Sequence, residues 1–175
     1  PLTGAKKGKN TSMRLAIESV KNKQSDIVIS AGNTGALFVI AKLNFQMIEN
    51  IDKPALSGLW PNKNGMNVVL DLGANIECSE KNLIDFSLMG AALFKALFPN
   101  ENPKVSLLNI GSEELKGTEI LKKAYSKLKI LEKISYKSVP FDKYIRSSPN
   151  PIHVLSIKKA KNINGIMLTE CYLIL

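Results

Sequence analysis

Residues 66–97 read MNVVLDLGANIECSEKNLIDFSLMGAALFKAL, and this stretch decides the fold class. MNVVLDLG (66–73) is a compact apolar, β-branched run closed by glycine, the pattern of a buried strand. The polar loop ANIECSEK follows, in which Ser79 is placed to cap an apolar helix carrying Leu83, Phe86, Leu88, Met89, Ala91, Leu93 and Leu97. Strand, polar loop and helix of this length make up most of a βαβ unit, and the order recurs on both sides.

Upstream, SDIVIS (25–30) reads as a short buried strand running into AGNTG and then the apolar helix ALFVIAKLNFQMI. Before it, SMRLAIESVK, opened by Asn10 or Thr11 as N-cap, sets Met13, Ile17 and Val20 on one helical face. Residues 54–60 are a weaker strand candidate ended by the turn-rich PNKNG. Downstream of the breaker cluster PNENP, KVSLLNIG is a further strand, and SEELKG opens a helix with Leu115, Ile120, Leu121, Ala124 and Leu128 on its apolar side. The alternation predicts an α/β fold with a parallel sheet covered on both faces. The pattern weakens after about Lys137, which divides the chain into residues 1–137 and a tail, 138–175, without a clear cap, loop or closing helix.

The 175 residues are 45% hydrophobic and 22% charged, an ordinary globular composition with enough chain to bury a core. No apolar run approaches the roughly 18 residues of a membrane span, and the start, PLTGAKKGKNTS, does not read as a signal peptide, so the expected location is cytoplasmic. Cys78 and Cys171 are too few for a disulfide framework, and with His153 as the sole histidine they do not make a zinc set. Net charge is +9, but 22 of the 24 cations are Lys rather than the Arg that bidentate phosphate contacts favour. Abundant Asn and Ile point to A+T-rich coding as a source of the lysines, and nucleic-acid binding is set aside.

A parallel sheet forms its ligand crevice at the carboxyl ends of its strands, and unusual polar residues fall there three times. In the first loop Ser30, Gly32, Asn33, Thr34 and Gly35 combine glycines that let backbone amides approach an anion with side-chain donors and a helix N-terminus. A strand-to-helix turn needs glycine in any case, so a purely structural loop remains open. In the second, Asp71 can orient a donor, hold the loop backbone or receive a proton, with Asn75 nearby. Cys78 as an acyl-accepting nucleophile is disfavoured by the lack of a neighbouring histidine. In the third, 109–117, Glu113 and Glu114 suit a helix first turn and Lys116 suits a phosphate partner, solvated cap charges being the alternative. No Walker loop, dinucleotide fingerprint, kinase set or nucleophile elbow is present.

Taken together, SMRLAIESVK, ISAGNTGAL, VVLDLGANIEC and LLNIGSEELKG, in this order and spacing over residues 11–117, resemble the phosphate acyltransferase family known as PlsX. The resemblance implies a three-layer α/β/α fold with a mainly parallel sheet, related to phosphotransacetylase and isopropylmalate dehydrogenase-like folds. It implies transfer of a long-chain acyl group from acidic acyl carrier protein to inorganic phosphate, giving acyl phosphate for phospholipid synthesis, with no metal or organic cofactor. It further implies a homodimer and loose contact with the membrane or with the glycerol-phosphate acyltransferase. On the matching loops, Asn33, Asp71, Asn75 and Lys116 are the expected catalytic residues. Ser30, Gly32, Thr34, Gly35, Gly111 and Glu114 are expected around phosphate or substrate.

Two departures qualify the expectation. The family's opening strand with a D-x-M-G-G-D-like loop and its later D-G-F-x-G-N-like segment have no counterpart, and the similarity, from about Lys6 to Lys137, covers well under half of the family's usual chain. The chain also begins at Pro1 without an initiator Met. The fold is therefore expected to be incomplete and the chain alone to have little activity, with a frame change, a split gene or divergence behind residues 138–175. The competing readings are a non-catalytic remnant or binding module of the family, and a phosphotransacetylase-like enzyme acting on acyl-CoA.

Overall fold

The computed structural model describes residues 8, 10–62, 65–109 and 117–130, together with the backbone of three further strands at 135–140, 151–154 and 171–174. The chain forms two compact units divided between Pro54 and Ala55.

The first unit holds helices α1 (Ser12–Lys21) and α2 (Thr34–Asn44). Thr11 caps α1, its side chain accepting from the Arg14 amide at 3.4 Å, and Lys21 sits in the last turn where a cation suits the helix dipole. The two helices pack against each other, and Ile17, Ile40 and Ala41 are buried. Residues 25–30, read from sequence as a buried strand, are not one: the segment has no strand assignment, and Ile27 and Ile29 are 72% and 87% exposed. β-branched residues favour a pleated surface only where a partner strand supplies it, and the described elements of this unit are helices.

Among the described residues the second unit is a six-stranded mixed sheet with two helices. Its elements are β1 (Ala55–Asn62), β2 (Gly65–Leu70), α3 (Glu80–Leu97), β3 (Lys104–Asn109), α4 (Glu119–Ile130), β4 (Ser135–Pro140), β5 (Pro151–Val154) and β6 (Cys171–Ile174). The strand order is β4-β3-β5-β2-β1-β6. The four strands β4, β3, β5 and β2 run parallel, whereas β1 pairs antiparallel with both β2 and β6. The chain is thus α/β, with an antiparallel margin that the sequence reading did not foresee: Pro61, Asn62 and Gly65 of PNKNG lie within the paired strands β1 and β2, Asn62 opposite Gly65. Pro61 is tolerated inside β1 because β6 pairs only with Ala55 to Gly58, so Pro61 lies beyond that ladder, where a missing N–H costs no strand pairing. The tail read as featureless supplies β5, which lies between β2 and β3, and β6; four-residue strands are too short to show a period.

α3 begins with a capping box: the Ser79 side chain accepts from the Asn82 amide at 3.2 Å while Asn82 accepts from the Ser79 amide at 3.0 Å. It buries Leu83, Phe86, Met89, Ala91 and also Phe94, which the sequence reading omitted, whereas Leu88 and Leu97 stay exposed. α3 packs on α4 and on β2, β5 and β3, and Lys127 of α4 reaches Glu80 of α3 at 2.6 Å. α4 starts at Glu119, after Thr118 caps it by accepting from the Leu121 amide at 3.3 Å, and buries Ala124 and Leu128 but not Ile120. By itself the described part of this unit is sheet plus helix pair; the second helical layer expected from the sequence is not among its described elements. Val68, Val69 and Leu70 are fully buried, which is why this strand was the clearest in the sequence.

Phe86 is fully buried, so Phe86→Ala should cost about 3–5 kcal/mol in urea unfolding, through lost transfer energy and the cavity left behind. Leu88→Ala, one turn position away on the exposed side, should stay within about 0.5 kcal/mol.

Candidate functional site

Parallel pairing fixes which loops share an edge. Leu70 of β2 and Leu107 of β3 are both level with Val154 of β5, so β2 and β3 end on the same side of the sheet with one strand between them. At about 4.8 Å per strand, their ends stand roughly 10 Å apart. The loop after β2 and the end of β3 at Asn109 therefore lie along the edge where α/β sheets bind ligands.

Asp71 is the first residue past β2 and is fully buried, with a backbone φ of +59°. That left-handed conformation is uncommon for a residue with a Cβ, and Asp and Asn tolerate it best. Its Oδ1 accepts from the Asn75 backbone amide at 3.2 Å and from the Asn75 side-chain Nδ2 at 2.9 Å, and its Oδ2 accepts from the Cys78 thiol at 3.4 Å. The chain folds back at once, the Gly73 amide donating to the Asp71 carbonyl at 2.6 Å while the Leu72 amide donates to the Leu56 carbonyl at 3.2 Å. Of the sequence candidates, Asp71 and Asn75 are thus in direct contact. A carboxylate has two acceptor oxygens, and here both carry donors from its own loop. The sequence reading disfavours Cys78 as a nucleophile, leaving it a structural thiol, and misses its partnership with Asp71. A spacing of seven residues matches no local turn rule, so nothing in the sequence signalled it.

On the β3 side, Asn109 lies against the backbone of Gly117. A Cβ built on Gly117 would stand 2.5 Å from Oδ1 of Asn109 and would push that side chain aside, and φ there is +101°, so the backbone calls for glycine. Three sequence candidates, Gly111, Glu114 and Lys116, fall outside the described residues.

The remaining candidates belong to the first unit. Ser30 Oγ accepts from the Gly32 amide at 3.2 Å, forming a tight turn, and Asn33 is the N-cap of α2, its Oδ1 accepting from the Ala36 amide at 2.9 Å. Asn33 therefore acts structurally through its oxygen, a use the sequence reading did not assign to it. Thr34 and Gly35 are the first two helical residues and are exposed, and amides at these positions have no intrahelical acceptor. A Cβ on Gly32 would stand 2.6 Å from the flexible tip of Met13 and 3.3 Å from Ser30 Oγ. The helix N-terminus carries partial positive charge, the ordinary equipment for an anion.

Residues 1–141 match the family described as Fatty acid synthesis protein. The chain belongs to this family. The match runs across both loops, 30–35 and 71–79. Among members of the fatty acid synthesis protein family, a phosphate acyltransferase of Pelagibacter ubique is 74% identical over 128 residues, 73% of this chain and 38% of that protein. A phosphate acyltransferase of Delftia acidovorans is 49% identical over 66% of this chain and 34% of its own length, and one of Thermoanaerobacter pseudethanolicus is 40% identical over 81% and 44%. The chain thus spans well under half the length of these relatives. In fold it is similar to a phosphotransacetylase from Streptococcus pyogenes, with TM-score 0.61 and 15% identity over 86% of this chain and 55% of that one. Family membership and the α/β fold expected from the four sequence blocks agree with these findings. No helix among the described residues is long and apolar enough to cross a membrane.

Gly73 has φ +82°, yet a Cβ there meets nothing within 4 Å, so substitution tests backbone strain alone. Gly73→Ala should destabilise the protein by about 1 kcal/mol in urea unfolding. Gly73→Asn should cost less, because Asn tolerates the left-handed region.

Proposed function

We propose that this chain carries part of the machinery that moves a long-chain acyl group from acyl carrier protein to inorganic phosphate. The observation that carries the reading is the 74% identity with a phosphate acyltransferase over 128 residues. The chemistry is an attack by a phosphate oxygen on the thioester carbonyl carbon. A C–O bond forms, the carbonyl oxygen becomes an oxyanion, and collapse breaks the C–S bond, the carrier thiol leaving with the proton that the phosphate gives up. Such a reaction needs no covalent enzyme intermediate. It needs phosphate held in line and donors fixed where negative charge develops.

In this reading the loop at 30–35 serves the anion. The exposed amides of Thr34 and Gly35 at the start of α2 supply donors, Gly32 lets the backbone approach, and Ser30 holds the turn. Asn33 uses Oδ1 for the cap and offers Nδ2 to phosphate or to the oxyanion. Asp71 and Asn75 orient the second loop, and Lys116, with Gly111 and Glu114 beside it in sequence, supplies positive charge. Association into a homodimer, a cytoplasmic location, and contact with the membrane surface or with a glycerol-phosphate acyltransferase belong to the same proposal.

The test is phosphate-dependent acyl phosphate formation by the purified chain, with palmitoyl carrier protein and acetyl-CoA as alternative donors. Turnover with the first alone supports the reading and shows that this part suffices; turnover with acetyl-CoA, and none with the carrier protein, contradicts it and turns it to a phosphotransacetylase; none with either from a folded sample makes this chain an inactive part. Asn33→Ser separates the two duties of that residue, since serine caps a helix as well as asparagine does but lacks the amide donor. It should lower kcat/KM for phosphate by about a hundredfold, the usual cost of a lost oxyanion donor. Asn33→Ala should additionally lower stability by about 1 kcal/mol through the lost cap.

A further inference from the structure

Helix α4 carries four lysines, Lys122, Lys123, Lys127 and Lys129, against one acid, Glu119. Three of the four have a duty within the fold. Lys122 pairs with Glu119 at 3.0 Å, Lys127 reaches Glu80 of α3, and Lys129 lies in the last turn, where a cation suits the helix dipole. Lys123 is exposed, lies outside the last turn, and has no ion-pair partner among the described residues.

Helical spacing sets Lys123 in a stripe. Ile120, Lys123, Lys127 and Ile130 follow one another at i, i+3, i+7 and i+10, which a 3.6-residue period gathers within an arc of about 80°. The stripe is open to solvent: Ile120 and Ile130 are 43% and 76% exposed, and the Lys127 side chain is 66% exposed. The helix packs inward through Ala124 and Leu128 instead. The stripe also starts beside the ligand edge of the sheet, since Gly117, three residues before Ile120, stands against the side chain of Asn109, the last residue of β3. From there it runs about 15 Å along α4 at 1.5 Å per residue.

We infer that this stripe docks an acidic protein surface bearing apolar side chains, with Lys123 as its central charge and Ile120 and Ile130 closing the contact at either end. The choice of partner rests on the acyl-transfer reading above, in which that surface belongs to the acyl carrier protein. Charge complementarity selects an acidic partner: four lysines and one glutamate leave α4 net positive, within a chain of net charge +9, and opposite charge steers encounter and fixes register. Spacing argues against a lipid surface. A helix lying in a membrane interface needs a broad apolar face, and α4 spends its own on Ala124 and Leu128 inside the fold, leaving two isoleucines about 15 Å apart. A carrier held on the stripe sits beside the edge at which β2 and β3 end.

The experiment measures binding of palmitoyl carrier protein to the purified chain with phosphate absent, so that turnover does not enter. Lys123→Glu should weaken binding about tenfold and flatten its salt dependence. Lys104→Glu, the same charge change at an exposed position of β3, should leave it within about twofold. Ile130→Ser should weaken it about threefold with the salt dependence kept, because it removes apolar contact and no charge. Equal weakening by Lys123→Glu and Lys104→Glu would reduce the effect to net charge and overturn the inference. So would a parent that does not bind the carrier, or one that binds phosphatidylglycerol vesicles through Lys123 and not the carrier. Kinetics separate this inference from the reading it rests on. Where the chain turns over, Lys123→Glu should raise KM for the carrier protein about tenfold with kcat kept, whereas an unchanged KM overturns the docking surface and leaves the acyl-transfer reading standing. Carrier binding that Lys123→Glu weakens, from a chain without turnover, upholds the surface, and what falls is the activity of this chain.

Discussion

The second unit depends on how β2 ends. A strand whose Val68, Val69 and Leu70 are all fully buried must release its chain at the sheet edge, and the first residue out, Asp71, is buried as well. A buried carboxyl group without partners is costly, and its polar atoms must be met from nearby. The loop contributes to this: Asn75 and Cys78 bring donors back to Asp71 across residues 71–78. The next residue, Ser79, then caps α3, so the strand, the loop and the helix follow one another without a break. β3 ends along the same edge, with one strand between, and its last residue, Asn109, packs on Gly117, whose φ of +101° favours glycine.

The same economy is seen in the first unit, where the residues with the most chemical appeal also hold the backbone. Asn33 caps α2 with its oxygen, and Ser30 accepts the Gly32 amide. A loop that binds an anion with backbone amides must first be rigid, since a donor that moves gains little electrostatic advantage. Capping by side chains leaves Thr34 and Gly35 exposed at the N-terminal end of α2, where the helix dipole favours negative charge. In the proposed reaction Asn33 would keep its cap through Oδ1 while Nδ2 serves the anion, so the structural role does not exclude the proposed one.

Much of the fold was legible because its signals are local. The apolar run of β2, the Ser79 cap and the helical spacing of Leu83, Phe86 and Met89 are each visible within a few residues and agree with one another. What was not legible depends on neighbours far along the chain. The β-branched segment 25–30 has strand-like residues but no strand assignment, and Ile27 and Ile29 are exposed. The antiparallel pairing of β1 with β2 and the insertion of β5 between β2 and β3 are choices of partner, which residue type does not encode. In the candidate site the residue types at loops were readable, and the match across four blocks gave the family. The bond from Cys78 to Asp71 was not, because seven residues is too long for a local turn rule and too short to stand out as a long-range contact.

The central claim is that the loop at the start of α2 holds inorganic phosphate, and titrating phosphate into the 15N-labelled chain tests it most directly. The account predicts saturable shifts at the Thr34 and Gly35 amides that disappear when chloride replaces phosphate at equal ionic strength. Amides at 34 and 35 that do not respond, or that respond to chloride in the same way, would contradict it.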